Sequence, residues 1–202
     1  MGDKLILATR NPEKLRELRR ILDAGRVPVG VSDTGEFPDM PEVAETGLTF
    51  TENALLKARA VAAFTGLAAV ADDSGLCVDA LNGMPGVLSA RWSGRHGDDD
   101  ANLQLVLGQL ADIPAGHRAA HFACAAALVL PSGAEHVTEG VVDGSLTTAP
   151  RGTNGFGYDP IFVPAGYEVT TAEMSPADKD KISHRGRALR ALAPIIAALL
   201  GS

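Results

Sequence analysis

The stretch that most narrows the folds open to this chain is its first. A short β-rich run, Lys4 to Thr9, passes through Asn11-Pro12 into Leu15, Leu18, Ile21 and Leu22 at helical spacing, then beyond Gly25 to a second β-rich run, Val27 to Val31. Asn11 is a good N-cap and Pro12 suits the first helical position, so a helix is predicted to begin there. The opening is thus a β-α-β unit, which sets parallel strands beside a covering helix.

The rest of the chain extends this plan without repeating it. Ser32 to Gly47 carries Asp33, Glu36, Asp39, Glu42 and Glu45 among glycines and prolines and reads as a long acidic loop. Thr49-Phe50-Thr51-Glu52 is a capping box, and Ala54, Leu55, Ala58 and Ala62 continue one helical face to Gly66. Leu67 to Ala71 reads as a strand that stops at Asp72-Asp73-Ser74-Gly75, with Leu76 to Leu81 as another. Asp98 to Asp100 cap a helix bearing Leu103, Val106, Leu107 and Leu110. Arg118 to Leu130 and His136 to Val142, joined by Pro131-Ser132-Gly133, form a predicted hairpin. A glycine-rich loop, Arg151 to Pro160, precedes a strand at Ile161 to Val163. Ser175-Pro176 marks a further helix start, and Ala188 to Leu200 is helical with a kink or restart expected at Pro194. Interspersed helices together with a hairpin predict an α/β fold with a mixed sheet covered by helices.

Length and charge bound the function. With 202 residues, one domain or one domain with two lobes is expected, and 46% hydrophobic content supplies a sizeable core. The formal charge of −7 repels a phosphate backbone, so a nucleic acid polymer is a poor partner. The apolar run Ala123 to Leu130 is well short of the roughly 18 residues that span a bilayer, and residues 1–10 lack a signal-peptide core. A cytoplasmic protein without membrane contact is expected. Cys77 and Cys124 sit in apolar segments without C-x-x-C spacing and read as buried thiols.

Four constellations could carry chemistry. Thr9-Arg10-Asn11-Pro12-Glu13-Lys14 places a lysine in the first turn of a helix, where only an anion makes a cation favourable, so a phosphate fits; an ordinary capped helix with a solvated lysine fits as well. Asp72-Asp73, at an expected strand end, could join Glu45 around Mg²⁺, which takes one or two carboxylates plus substrate phosphate; alone, Asp-Asp-Ser-Gly is also a plain turn sequence. Gly155-Phe156-Gly157-Tyr158-Asp159 holds aromatics where a flat base could approach ring and backbone together, although Phe156 could equally anchor the loop to the core. Lys179, Ser183, His184 and Arg185 offer donors to a carbonyl or phosphate, or form a basic surface turn. No P-loop or dinucleotide fingerprint occurs.

In their order along the chain these motifs resemble the inosine triphosphatase family, pyrophosphatases of noncanonical purine nucleoside triphosphates. The residues that carry the likeness are Thr9-x-Asn11-x-x-Lys14, Glu45-Thr46-Gly47-x-Thr49-Phe50-x-Glu52-Asn53-Ala54-x-x-Lys57-Ala58, Asp72-Asp73-Ser74-Gly75-Leu76, Pro85-Gly86 with Ser89-Ala90-Arg91, Gly155-Phe156-Gly157-Tyr158-Asp159-Pro160 and Ser183-His184-Arg185-Gly186. The resemblance implies hydrolysis of ITP, dITP and XTP to monophosphate and pyrophosphate with Mg²⁺, by a homodimer that cleanses the nucleotide pool. It implies an elongated mixed sheet with two lobes and substrate in the cleft between them. It also implies that Thr9, Arg10, Asn11 and Lys14 hold the triphosphate, that Glu45 and Asp73 bind the metal, and that Asp73 orients or deprotonates the attacking water with Asp72 beside it. Ser74 and Lys57 would support the phosphates, while Phe156, Gly157, Tyr158, Asp159, Lys179, His184 and Arg185 would form the base pocket.

The mechanism expected from this assignment is in-line attack of water on the α-phosphorus, with catalysis mainly electrostatic. Hypoxanthine and xanthine present an O6 acceptor to His184 or Arg185, whereas adenine presents a donor there and should be rejected. Two rival readings stay open. A regulatory nucleotide-binding module would lack turnover, and a Maf-like pyrophosphatase would prefer modified pyrimidine nucleotides.

Overall fold

A computed structural model describes residues 4–201. The elements run β1 (Lys4–Leu7), α1 (Pro12–Ala24), β2 (Gly30–Asp33), α2 (Phe50–Thr65), β3 (Ala68–Val78), α3 (Asp99–Gln109), β4 (Ala119–Val129), β5 (Glu135–Leu146), β6 (Phe162–Pro164), α4 (Pro176–Ile182) and α5 (His184–Leu200). The six strands form one sheet in the order β2-β1-β3-β4-β5-β6. β1 pairs in parallel with β2 and β3, and β5 pairs antiparallel with β6, so the sheet is mixed and the expected α/β class is found. Among the described residues no helix is long and apolar enough to cross a membrane.

The local rules explain why these segments form. Asn11 Oδ1 accepts the Glu13 N–H at 2.9 Å, and Pro12 follows at the first helical position. Thr49 and Glu52 cap α2 reciprocally, and Gly66, at φ 68°, closes its other end in the left-handed conformation.

The fold divides into two compact units, residues 4–73, 124–140 and 185–201 in the first and residues 74–123 and 141–184 in the second. In the first unit the period-2 alternation of strand side chains builds two cores. Leu5, Leu7, Ala68, Val70, Cys124, Ala126 and Leu128 face Leu18 and Leu22 of α1 and Leu189, Leu192 and Ile196 of α5. Ile6, Ala69, Ala71, Ala125, Ala127 and Val129, each displaced by one residue, face Ala54, Ala58 and Val61 of α2. The second unit packs Leu76, Val78, Leu103, Val106, Leu110, Ile161 and Phe162 into one cluster, in which Phe122 meets Phe162 edge-on at 4.7 Å.

Two sequence expectations are corrected. The turn at Asp72-Asp73-Ser74-Gly75 does not exist, since β3 runs unbroken from Ala68 to Val78 and the aspartates lie in mid-strand. Turn propensity yields because both carboxylates find cations in the interior, and because Gly75 lies where a Cβ would strike the Gly86 carbonyl and Ser89. Pro194 neither stops nor restarts α5, which is continuous across it. The proline is exposed, while Leu189, Leu192 and Ile196 hold the helix to the core from its other side.

Candidate active site

β3 displays its two aspartates to opposite faces, and each face has its own partners. On the α2 face, Lys57 Nζ lies 3.0 Å from Asp73 Oδ1 and 2.7 Å from Glu45 Oε1. Asn53, one turn before Lys57 and fully buried, donates from Nδ2 to the other Asp73 oxygen at 3.1 Å. The same amide accepts the Gly47 N–H at 2.8 Å, which ties the acidic loop carrying Glu45 to the start of α2. Gly47 has no room for a side chain, because a Cβ there would come within 2.6 Å of Glu52 Cβ.

On the other face, a single oxygen of Asp72 accepts from Lys14 Nζ at 2.8 Å and from Arg185 Nε at 3.0 Å. Arg185 is also 3.8 Å from Glu17, a buried carboxylate of α1. Asp72 is therefore not beside Asp73 in the sense expected at a strand end. It faces away, as the engaged anion between two cations. Arg185, expected with His184 in a base pocket, belongs to this ion-paired group.

The electrostatics of the neighbours diverge accordingly. Burial works against the Asp72 carboxylate, but Lys14 and Arg185 outweigh it and hold the group well below the usual carboxylate range. Burial raises Asp73, Glu45 adds repulsion, and Lys57 with Asn53 does not fully offset them. Lys57 is opposed by burial, yet Asp73, Asp72 and Glu45 together keep it above the ordinary lysine value. One ammonium shared among several carboxylates is held firmly charged, whereas each carboxylate receives only part of a counterion. Asp73 is thus the more basic carboxylate and the better proton acceptor.

The segment before α1 is a bonded bend. Thr9 Oγ1 accepts the Asn11 N–H at 3.1 Å, and the Thr34 hydroxyl donates to the Thr9 carbonyl at 2.7 Å. Arg10 and Asn11 are exposed, and Lys14 stands in the first turn of the helix. Ser74 follows Asp73 in β3 and is half-buried.

In the second unit Asp159 organises the glycine-rich loop. One of its oxygens accepts from the Phe156 N–H at 2.9 Å and from the Lys179 ammonium, and the other accepts from the Thr171 hydroxyl at 2.8 Å. A side chain at Gly155, where φ is 77°, would collide with Asp159 and Lys179. Tyr158, not Phe156, anchors the loop: it is 4% exposed and donates its hydroxyl to the Ser89 carbonyl at 2.8 Å. Phe156 is 56% exposed, with Lys179 Nζ 5.1 Å from its ring centroid, and the Gly157 N–H donates to Asp99 at 2.9 Å. His184 stacks on Phe122 with centroids 4.8 Å apart. A cavity among Phe122, Asp159, Lys179 and His184 holds about 20 Å³, room for roughly one water and too little for a purine.

Sequence reasoning gave no role to Asn53, Glu17 or Thr171. A polar residue on the apolar face of α2 was the available signal for Asn53, since Asn53, Ala54, Lys57 and Ala58 share that side at i, i+1, i+4 and i+5. Glu17, three residues after Lys14, is the same signal on α1. Nothing local marks Thr171.

Comparison with known proteins bears on what these groups do. A model of the Ham1 family matches residues 5–195. The chain is 60% identical over 198 residues to a dITP/XTP pyrophosphatase of Streptomyces coelicolor, covering 98% of this chain and 99% of that one. It is 56% identical over 197 residues to a dITP/XTP pyrophosphatase of Mycobacterium tuberculosis, covering 97% and 96%. Among solved structures it is similar to a HAM1 protein from Coxiella burnetii, with a TM-score of 0.89 and 41% identity over 97% of this chain and 99% of that one. It is also similar to a nucleoside-triphosphatase, dITP/XTP pyrophosphatase, from Mycobacterium abscessus, with a TM-score of 0.79 and 59% identity over 95% and 99%.

Proposed function

This chain belongs to the Ham1 family, and from that premise we propose that it hydrolyses ITP, dITP and XTP to the nucleoside monophosphate and pyrophosphate, removing aberrant purines from the nucleotide pool. The observation that carries the reading is the convergence of Asp73 and Glu45 on one point of the α2 face of β3, where Lys57 Nζ lies 3.0 Å from the first and 2.7 Å from the second.

Glu45 and Asp73 fit a divalent cation, since both already converge on one positive charge. Among the described residues no group of three or more His, Cys, Asp or Glu could hold a metal. A pair suits Mg²⁺, which completes its shell with water and substrate phosphate. Bound there, the ion would neutralise charge developing on the phosphates. Asp73 takes the proton of the water that attacks the α-phosphorus. Lys14, with Thr9, Arg10 and Asn11 at the start of α1, binds phosphate oxygens, and Ser74 and Lys57 support them. Asp72 acts through Lys14, fixing its ammonium and the Arg185 guanidinium without touching the reacting atoms. Phe156 stacks the base, Asp159 and Tyr158 hold that loop in shape, and Lys179 and His184 supply donors that favour the O6 of hypoxanthine or xanthine over the amino group of adenine. The chain acts as one catalytic domain in a cytoplasmic homodimer, on small-molecule nucleotides, with no nucleic acid polymer or membrane as partner.

Product analysis with ITP, XTP, GTP, ATP and dTTP, with Mg²⁺ and with chelator, tests this. Monophosphate plus pyrophosphate from ITP and XTP, abolished by chelator, is expected. Diphosphate plus orthophosphate, a preference for dTTP, or tight ITP binding without turnover would overturn it.

A further inference from the structure

Lys57 is engaged by two carboxylates at once. Its Nζ sits 2.7 Å from Glu45 and 3.0 Å from Asp73, and its side chain is 15% exposed. Both carboxylates are held in place by other means: Asp73 by Asn53, and the Glu45 loop by the bond from Gly47 to the same Asn53. Two anions converging in a partly buried site repel each other unless a cation lies between them. The only cation bonded to both among the described residues is this ammonium. It stands where the proposed metal would have to bind.

We propose that Lys57 is a built-in substitute for the divalent cation, holding Glu45 and Asp73 together while the metal is absent and being displaced from them when it binds. The inference rests on the assignment of those two carboxylates as metal ligands. Displaced, the ammonium swings toward substrate phosphate, so metal and nucleotide arrive as coupled events. An entering cation competes with the lysine, and the nucleotide-free protein therefore binds it weakly. A lysine that merely braced the site would behave in the opposite way, because its loss would loosen the carboxylates and weaken metal binding.

The test is titration of Mn²⁺ into nucleotide-free wild type, Lys57→Met and Lys57→Arg, read by electron paramagnetic resonance of the free ion. Lys57→Met is expected to bind at least tenfold more tightly than wild type, about 1.4 kcal/mol. Lys57→Arg, which retains the charge, should stay within threefold of wild type. Equal, weaker or undetectable binding by Lys57→Met overturns the proposal, as does tightening by Lys57→Arg. Because Lys57→Met could fail to fold without metal, wild type is also examined by reductive methylation with mass-spectrometric readout. Adding Mg²⁺ should accelerate modification of Lys57, and an unchanged or slowed rate overturns the proposal. Absence of dITP hydrolysis by wild type with these binding results intact would sink the pyrophosphatase reading alone; hydrolysis with failed titrations would sink only the role of Lys57.

Discussion

Replacing Asp72 by Asn removes one negative charge from the interior while keeping the shape of the side chain. The carboxylate is 4% exposed and attracts Lys14 at 2.8 Å and Arg185 at 3.0 Å. With an effective dielectric constant near 20, each pair is worth about 5 to 6 kcal/mol before desolvation. Desolvation takes back most of that, and breaking a buried pair by deleting one partner costs about 3–5 kcal/mol. The lower end applies, because Lys14 is 23% exposed and can turn to water, and Arg185 keeps Glu17 at 3.8 Å. At about 2–4 °C per kcal/mol for a chain of this size, Asp72→Asn should lower Tm by about 6–12 °C at pH 7. The pH dependence has a definite sign. Asp72 has its pKa depressed by folding, so its contribution is present above the unfolded value of about 3.9 and is lost as pH falls toward the folded one. The gap between wild type and variant should therefore narrow below about pH 4. Calorimetry at pH 7 and pH 3 measures both, and a Tm change under about 2 °C at pH 7, or a gap that widens in acid, would refute the reasoning.

Asp73→Asn should weigh on activity more than on stability. Lys57 keeps Glu45 at 2.7 Å when the Asp73 charge is removed, so the loss of Tm should be smaller than for Asp72→Asn while hydrolysis falls about 10²–10⁴-fold, and a larger loss of Tm or near-normal turnover would contradict this. Phe156→Ala should raise KM for ITP about 5- to 150-fold, from about 1–3 kcal/mol of lost stacking, with Tm unchanged because the ring is 56% exposed. Tyr158→Phe should instead lower Tm by removing the bond to Ser89 and leave KM nearly as it was; the reversed pattern in steady-state kinetics and melts would exchange the two roles. Burial pushes both thiols up, with Asp79 adding to the effect at Cys77 and Asp72 at Cys124, so iodoacetamide at pH 8 should label them slowly until urea unfolds the chain; labelling of native protein at the rate of a free thiol would be inconsistent with this burial.

Much of this was legible where the physics is local. Asn11-Pro12 and the Thr49-Glu52 box announce α1 and α2 because caps act within a few residues, and the acidic loop, the hairpin and the mixed sheet follow from punctuation and periodicity. Asp72-Asp73-Ser74-Gly75 misled because its turn propensity is local, while its answer lies in Lys14, Lys57 and Arg185, which are far away in sequence. The same distance hid the hub at Asp159, whose partner Thr171 carries no mark of its own, and the choice of Tyr158 over Phe156 as the buried anchor of the loop. Which aromatic is buried depends on where Ser89 sits, and nothing near the loop records that.

The alternation along β3 means that the partners of its two aspartates are set by parity. Even and odd positions from Ala68 to Ala71 belong to different cores and Asp72 and Asp73 continue the alternation, so loss of Ala69, Val70 or Ala71 would turn over the residues on one side of the gap and, with those before it held in place, exchange the surroundings of the two aspartates. Point substitutions in this strand can be judged one at a time. A deletion there would leave composition and charge almost intact and still set one part of the strand against the other, which makes length the least negotiable property of the segment between α2 and Asp73.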